Sequence, residues 1–428
     1  MDIIRNKIKP FLDNYLIIFV ALFGLLTVLP YISFFKNLQV RYAPGIIYRA
    51  VLVSIIGMSF LFVLFVYKTK LPIAVYICTA VYFISQIVTI FISPIIKNVE
   101  VPFLTTIMGL GQSVIISLSV LVYLSIKKST DFNQKTINIV CLSMLSIGVL
   151  LCLYTYIFQY KAIYHTFNTE YGWNYDVTSI FVLKTEYGFM LFICSIFSFF
   201  YILNNHKYWM YIFPIFFLIN MFISRSKTSI LCASIILIGL VVIHFIRSWT
   251  RYKKTWIISI ICVSFAFTSI VILTSLKVGW FERFNYYITQ VIFNDAYVVL
   301  SDRVRKWGLL INAVNNPFSV VFGYGERITP LVLSDCGCVA IGDNIYLSNY
   351  GIGGLIKFIM YLGLAVFIVI TTWNTNMNKY KKIIPLIIQL SFLIGGLFED
   401  DSIIGVTMSG LFSSIIFYSC NKMIKVDL

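Results

Sequence analysis

The chain has 428 residues, of which 60% are hydrophobic, 17% aromatic and only 12% charged, with a formal net charge of +16. So few polar side chains cannot cover the surface of a water-soluble globule, which excludes a soluble enzyme and indicates a polytopic membrane protein. In a soluble protein the positive charge would suggest nucleic acid, but here the lysines and arginines cluster in alternate turns between apolar runs, a pattern that belongs to membrane topology.

A hydrocarbon core about 30 Å thick needs roughly 20 apolar residues in a helix, and twelve runs of that kind can be placed along the chain. The basic start MDIIRNKIKP precedes the first, 14–35. That run is too long for a signal-peptide core and lacks a small-x-small cleavage site, so it reads as a first span with the N-terminus inside. Further spans are expected at 46–67, 71–96, 102–126 and 136–159, then one ending near Asn204, then 208–223, 228–246, 255–275, 350–373, 383–398 and 403–420. After the fifth, the segment YKAIYHTFNTEYGWNYDVT suits an interfacial belt of Trp and Tyr, with aromatic surface for a sugar. With the N-terminus inside, eighteen Lys and Arg, from Arg5 to Lys425, fall in cytoplasmic turns and seven in the short outer turns. The expectation is an all-α polytopic membrane protein with about twelve transmembrane helices, both termini cytoplasmic, and one long external loop, 277–349, between spans nine and ten. No internal repeat or linker divides it, so 1–428 reads as one integral membrane domain.

Seven of the nine cysteines lie in or beside apolar runs, where a thiol behaves as a small hydrophobe. Cys336 and Cys338, in the long loop, read as ordinary thiols or a local disulfide, because no partner ligands with zinc spacing accompany them. The chain has no GxxxxGK[ST] and no GxGxxG after a strand, and its three histidines, His165, His206 and His244, are scattered. No nucleotide or metal site is therefore expected, and no cofactor.

What remains is a set of arginines, whose planar fork makes charged, bidentate contacts to phosphate oxygens. Arg225, in Ser224-Arg225-Ser226-Lys227-Thr228-Ser229, sits at the outer end of two spans and runs against the charge bias. Snorkelling of a helix-end cation is the competing explanation. On a helix, Arg303 shares a face with Trp307, and Asp302 with Arg305 or Lys306. That spacing fits a phosphate site and a salt-bridged interfacial helix equally well. Lys184, Glu186 and Lys357 fall within or at the edges of spans, where charge is costly, and Lys357 lies one turn from the small residues Gly353 and Gly354. Arg49, after Tyr48 at the mouth of the second span, is a weaker candidate for a lipid phosphate, and Glu399-Asp400-Asp401 reads as a solvated turn.

Taken in order, Ser224-Arg225, Arg303 to Trp307, Gly323-Tyr324-Gly325, Asp343-Asn344-Ile345-Tyr346-Leu347 and the glycines from Gly351 to Gly354 form a series. It resembles the O-antigen ligase and polymerase (Wzy-type) family of bacterial surface polysaccharide assembly, over residues 224 to about 370. The resemblance implies a metal-independent glycosyltransferase at the outer face of the bacterial cytoplasmic membrane. Its donor would be an undecaprenyl-pyrophosphate-linked oligosaccharide rather than a nucleotide sugar. Partners would be membrane lipid, a flippase and a chain-length regulator, with no nucleic acid. Arg225 and Arg303 would then hold the pyrophosphate and stabilise the charge that grows on it as the glycosidic bond breaks. The ligase branch has His where this chain has Asp343, which favours polymerase over ligase. Asp343 is the expected base or acceptor-orienting group, with Glu326 and Asp302 as competitors. Arg49, Lys227, Arg305, Glu326, Asn344, Tyr346 and Lys357 complete the expected substrate-binding set. The alternatives are ligase-type transfer to another acceptor and a lipid-linked oligosaccharide flippase. The long loop speaks against the flippase, since alternating-access carriers keep polar groups near the midplane.

Overall fold

The computed structural model describes residues 7–12, 32–34, 45–67, 71–98, 134–166, 177–205, 207–239, 295–325, 344–373 and 379–397, with isolated residues between these stretches. It is mostly helical, 89%, and among the described residues there is no strand, only an isolated antiparallel bridge between Ile32 and Phe181. The principal helices among the described residues are α1 (Gly45–Tyr67), α2 (Ile73–Lys97), α3 (Gln134–Phe158), α4 (Lys184–Asn205), α5 (Ile212–Ser224), α6 (Lys227–Gly239), α7 (Asp295–Ala313), α8 (Pro317–Phe322), α9 (Ile345–Trp373) and α10 (Lys379–Gly395), with short helical turns at Tyr160–Thr166 and Tyr208–Tyr211.

Three helices among the described residues are long and apolar enough to cross a membrane: Ile73–Lys97, Lys135–Phe158 and Lys184–Ile202. The second, third, fifth, sixth and seventh spans expected from the sequence coincide with α1 to α5 within a few residues. The expected spans 14–35, 102–126, 255–275 and 403–420 lie wholly or largely outside the described residues, as does the acidic turn 399–401. Two boundaries differ. α9 begins at Ile345 rather than at residue 350 and is broken at Gly353 and Gly354. α10 begins at Lys379, so the lysines read as a turn lie in its first turn.

α2 shows the inverse of a water-soluble helix. Its exposed face is Ile73, Ile77, Ile84, Phe91 and Ile95, and its buried face is Tyr82, Ser85, Gln86, Thr89 and Ser93. Each set recurs at three-, four- and seven-residue steps, which puts it on one side of a 3.6-residue helix. An apolar outer face suits lipid, and a polar stripe pointing inward must find partners inside the protein.

α4 is the centre of the bundle: 83% of its apolar window is buried, against 22% for α2. Phe192, Ile193, Cys194 and Phe197 on α4 pack with Met144 and Cys152 of α3, Phe217 and Met221 of α5, Cys232 and Ile236 of α6, and Ile388 and Phe392 of α10. A polar network is threaded through this core. Thr155 Oγ1 donates to Tyr187 Oη at 3.1 Å, and Tyr187 Oη donates to Asn220 Oδ1 at 3.5 Å, tying α3, α4 and α5 at one level. Glu186 acts locally, its carboxylate accepting the Leu183 N–H at 3.2 Å at the start of α4.

Gly148 of α3 sets the spacing of the three central helices, because a Cβ there would lie 2.6 Å from Phe217 Cζ and 2.9 Å from Cys194 Cβ. Gly148→Val should therefore overpack the bundle and cost on the order of 1–3 kcal/mol. Thermal melting of the detergent-solubilised protein should drop by several degrees. An unchanged melting temperature would mean that these helices are not packed at this distance.

Candidate functional site

The Ser224 to Thr228 segment joins α5 to α6, and its geometry is set by hydrogen bonds of the Schellman type. Ser226 N–H donates to the Met221 carbonyl at 3.3 Å and Arg225 N–H to the Phe222 carbonyl at 3.1 Å. This closure requires a left-handed residue, and Arg225 supplies it, at φ 57° and ψ 29°. Glycine is the usual occupant, and an L-residue there costs about 1–2 kcal/mol. Arg225 is nevertheless buried, at 7% exposure, with Ser224, Ser226, Thr228 and Ser229 buried around it. Ser226 Oγ donates to Ser229 Oγ at 2.8 Å. Gly188 of α4 makes room for the hinge, since a Cβ at 188 would run into the Ser226 side chain. A simple snorkelling cation would extend toward water, so burial in a strained turn weighs against that explanation. Lys227, one residue on, is half-buried.

The end of α10 connects this hinge to the start of α9. Cys232 of α6 and Ser391 of α10 exchange hydrogen bonds, Cys232 Sγ to the Ser391 carbonyl at 3.3 Å and Ser391 Oγ to the Cys232 carbonyl at 3.2 Å. Beyond them, a Cβ at Gly395 would lie 2.7 Å from Cys232 Sγ and 3.9 Å from Thr228 Cγ2. The Gly396 carbonyl accepts the Ile345 N–H at 2.9 Å. The Arg225 hinge, the Gly395-Gly396 end of α10 and the Asn344-Ile345 start of α9 are thus assembled at one place.

Two residues expected to bind substrate have structural partners there. Asn344 caps α9, its Oδ1 accepting from Tyr346 N–H at 3.0 Å and Leu347 N–H at 3.1 Å. Tyr346 Oη donates to the Leu393 carbonyl at 2.8 Å. Asp343 directly precedes the cap and lies outside the described residues, as does Glu326; Arg49 is on α1, with its side chain outside them.

On α7 the two faces anticipated from spacing are both formed. Asp302 Oδ2 is 2.8 Å from Lys306 Nζ, and Oδ1 is 2.9 Å from Arg305 Nη2, with the Asp302 and Arg305 side chains exposed and Lys306 half-buried. Hydrogen bonds from Lys306 and then Arg305 hold the Asp302 carboxyl below the usual carboxylate range, which makes it a poor proton acceptor. Arg303 and Trp307 are half-buried, two turns and one turn before Leu310, which reaches Gly351 of α9. Residues 303, 307, 310 and 314 lie on one face of α7, so Arg303 and Trp307 extend the face whose Leu310 and Val314 form a small core with Tyr324 and Val332. No described contact brings Arg303 to Arg225.

The Gly323-Tyr324-Gly325 turn docks into the break in α9. Gly323, at φ 72°, faces the Ile352 carbonyl, and Gly354, at φ 62°, faces the Val321 carbonyl, each so closely that a Cβ would overlap backbone. Tyr324 N–H donates to the Gly351 carbonyl at 3.0 Å, Thr329 Oγ1, which donates to the Gly325 carbonyl at 2.6 Å, lies 3.3 Å from the Gly351 carbonyl, and Lys97 Nζ sits 4.9 Å above the Tyr324 ring. The polar stripe of α2 completes the joint. Thr89 Oγ1 donates to the Phe322 carbonyl at 2.7 Å and Ser93 Oγ to the Gly323 carbonyl at 3.3 Å.

Lys357 and Gln86 meet on the other side of the break. Both are buried. A Cβ at Gly353 would overlap the Lys357 Cβ, lie 2.6 Å from its Cδ, and lie 2.9 Å from Gln86 Nε2. Gln86, Thr89 and Ser93 were not anticipated, although the signal was present: Ser85-Gln86, Thr89 and Ser93 interrupt an apolar run at helical spacing. Chemically, the assembled groups are cations and N–H or O–H donors, an arrangement suited to oxyanions. Among the described residues no group of three or more His, Cys, Asp or Glu converges.

Two substitutions separate strain from support. Gly354→Ala should destabilise by about 1–3 kcal/mol through its left-handed backbone, with the Val321 clash added. Arg225→Gly relieves left-handed strain, so its melting temperature should match or exceed that of the wild type. A drop of several degrees for Arg225→Gly would identify the arginine as a structural strut. Comparison with protein-family models gives no match, and comparison with characterised proteins gives none either.

Proposed function

We propose that this protein is a polysaccharide polymerase. It transfers undecaprenyl-pyrophosphate-linked oligosaccharide repeat units into an O-antigen or capsule chain at the outer face of the bacterial cytoplasmic membrane. The observation that carries the reading is Arg225, an arginine held buried at a position where glycine is the relaxed choice and assembled against the helix start that follows Asp343. Strained backbone persists where surrounding structure enforces it, and it clusters at functional sites. Contacts between helix ends add support. Lys97 meets Tyr324, Thr228 meets Gly395, and Ile345 meets Gly396, all ends that the charge pattern assigns to the outside. Asn138 meets Asn205 at ends it assigns to the inside.

In this reading Arg225 binds the lipid pyrophosphate with a charge that is fixed before the reaction. Arg303, beside Trp307, binds a second part of the donor or its sugar. As the bond from the anomeric carbon to the pyrophosphate oxygen breaks, the leaving pyrophosphate keeps the electron pair and the arginines stabilise it. The acceptor hydroxyl attacks that carbon, and Asp343 takes its proton. Arg305 is paired with Asp302 on an exposed surface and contributes little.

The second reading, a flippase, draws on one observation, the broken helix α9 with its buried Lys357, because carriers use such breaks at the bilayer midplane. The depth of the break argues otherwise. Residues 355–373 rise roughly 28 Å, close to the full hydrocarbon thickness. Their outer face, Leu355, Ile359, Val366, Ile370 and Trp373, is apolar and exposed along that length. With Lys379 beyond the end that the charge pattern assigns to the inside, this reading puts the break at the outer boundary.

The test is the ladder of surface polysaccharide in cells lacking the protein and complemented with variants. Loss of the protein should leave single repeat units on the final glycan. Wild type and Arg305→Ala should restore long chains, while Arg225→Gly, Arg303→Ala and Asp343→Asn should reduce them at least tenfold. Repeat units trapped on the inner leaflet in the null strain would indicate the flippase, and long chains made by Arg303→Ala or Asp343→Asn would remove those residues from the mechanism.

A further inference from the structure

A helix broken part-way along presents two sets of backbone groups, carbonyls from the half that ends and N–H groups from the half that begins. In α9 one of the first set has its partner in the facing turn: the Gly351 carbonyl accepts from Tyr324 N–H. The second half, beginning near Leu355, opens with N–H groups and the positive end of a helix dipole. A side chain placed to offset that charge would be acidic or an acceptor. Instead Lys357 lies in this first turn, buried to 7% exposure, with its stem folded back across Gly353.

Gln86 of α2 adds a further donor. It is only 4% exposed, and its Nε2, 2.9 Å from the point where a residue-353 Cβ would sit, is buried with no hydrogen-bond partner among the described residues. A buried amide N–H without an acceptor is unfavourable, and an anion at this helix start would supply the acceptor while meeting the positive end of the dipole. We propose that the break at Gly353 and Gly354 is an oxyanion site of the phosphate class, formed by Gln86, Lys357 and the N–H groups that open the second half of α9. Gly353 lets the Lys357 stem and the Gln86 amide come together at the break, because a Cβ there would overlap the one and crowd the other.

Eight residues, roughly 12 Å of helix rise, separate Gly353 from Ile345, so the site is distinct from the Arg225 hinge and adjacent to it. Its occupant, though not its existence, rests on the polymerase reading. There, growing chain and incoming unit each carry a lipid pyrophosphate, and the hinge accounts for one of them. The same chemistry is offered by a free anion or by the headgroup of an anionic lipid.

The test uses the full-length protein carrying Arg225→Gly, which silences the hinge. Inorganic pyrophosphate is titrated against it in detergent, and melting is compared in nanodiscs of phosphatidylcholine with and without phosphatidylglycerol. Adding Gln86→Glu places a carboxylate beside Lys357 in nearly the same volume, so the ligand-free protein should melt at the same temperature or higher. Protection by pyrophosphate should weaken at least tenfold. Lys357→Met, uncharged and of similar length, should weaken it equally. A Gln86-dependent response to phosphatidylglycerol without one to pyrophosphate identifies a lipid headgroup as the source and upholds the site. If Gln86→Glu and Lys357→Met alter neither response, the proposal is overturned. A failed polysaccharide ladder would remove the polymerase reading and leave this site standing, so the two can fail separately.

Discussion

The arrangement depends on one backbone-to-backbone contact, that of the Gly323 turn with the Gly353-Gly354 break. Breaking a helix in an apolar setting costs hydrogen bonds that water cannot replace. Here the Gly351 carbonyl is taken up by Tyr324, while Thr89 and Ser93 of α2 take the Phe322 and Gly323 carbonyls at the end of α8. A Cβ at 323 or 354 would overlap the backbone of the facing segment. The glycines admit close contact, close contact satisfies the broken backbone, and the satisfied break holds Lys357 and Gln86 in place. A polar stripe buried on α2 is thereby explained as the complement of a non-helical joint elsewhere in the chain.

The Arg225 hinge obeys a related logic with the opposite residue choice. Its hydrogen-bond pattern would be best served by glycine, and the chain places an arginine there. Tight packing around α4 and the Gly188-Ser226 contact hold the hinge rigid, so the strain stays in the backbone rather than relaxing. A charge fixed before a reaction begins is worth more to a developing anion than one that must reorganise, and rigid helices are the elements on which such a group is best placed. Each of the two joints turns on a left-handed residue, Arg225 or Gly354, and each holds a buried cation, Arg225 or Lys357.

Much of this was legible in the sequence, and the remainder was hidden for identifiable reasons. Apolar run lengths located α1 to α5, because hydrocarbon thickness dictates helix length. Arg225 was visible as a cation against the charge bias, and the spacing of Asp302 with Arg305 and Lys306 was readable as an exposed pair. Asn344 and Tyr346 looked like substrate ligands because a cap and a carbonyl contact use the same polar atoms as a binding site; only the partners, two N–H groups and the Leu393 carbonyl, distinguish the roles. Gln86 stands with Ser85, Thr89 and Ser93 at helical spacing in an apolar run, a pattern that marks an inward-facing polar stripe and does not say which element the stripe meets. The break in α9 could not be read either, since Gly353-Gly354 is compatible with close helix packing as well as with a kink.

The central claim is that the hinge, the helix start and the break together act on a lipid-linked sugar at the outer surface without moving it across the bilayer. The most direct measurement reconstitutes the purified protein in proteoliposomes with an undecaprenyl-pyrophosphate-linked oligosaccharide and no nucleotide sugar, and follows both chain length and leaflet distribution. The account predicts stepwise extension of the oligosaccharide, with pyrophosphate-bearing lipid released at each step and no change in transbilayer distribution. Transfer of unextended oligosaccharide from one leaflet to the other would contradict it.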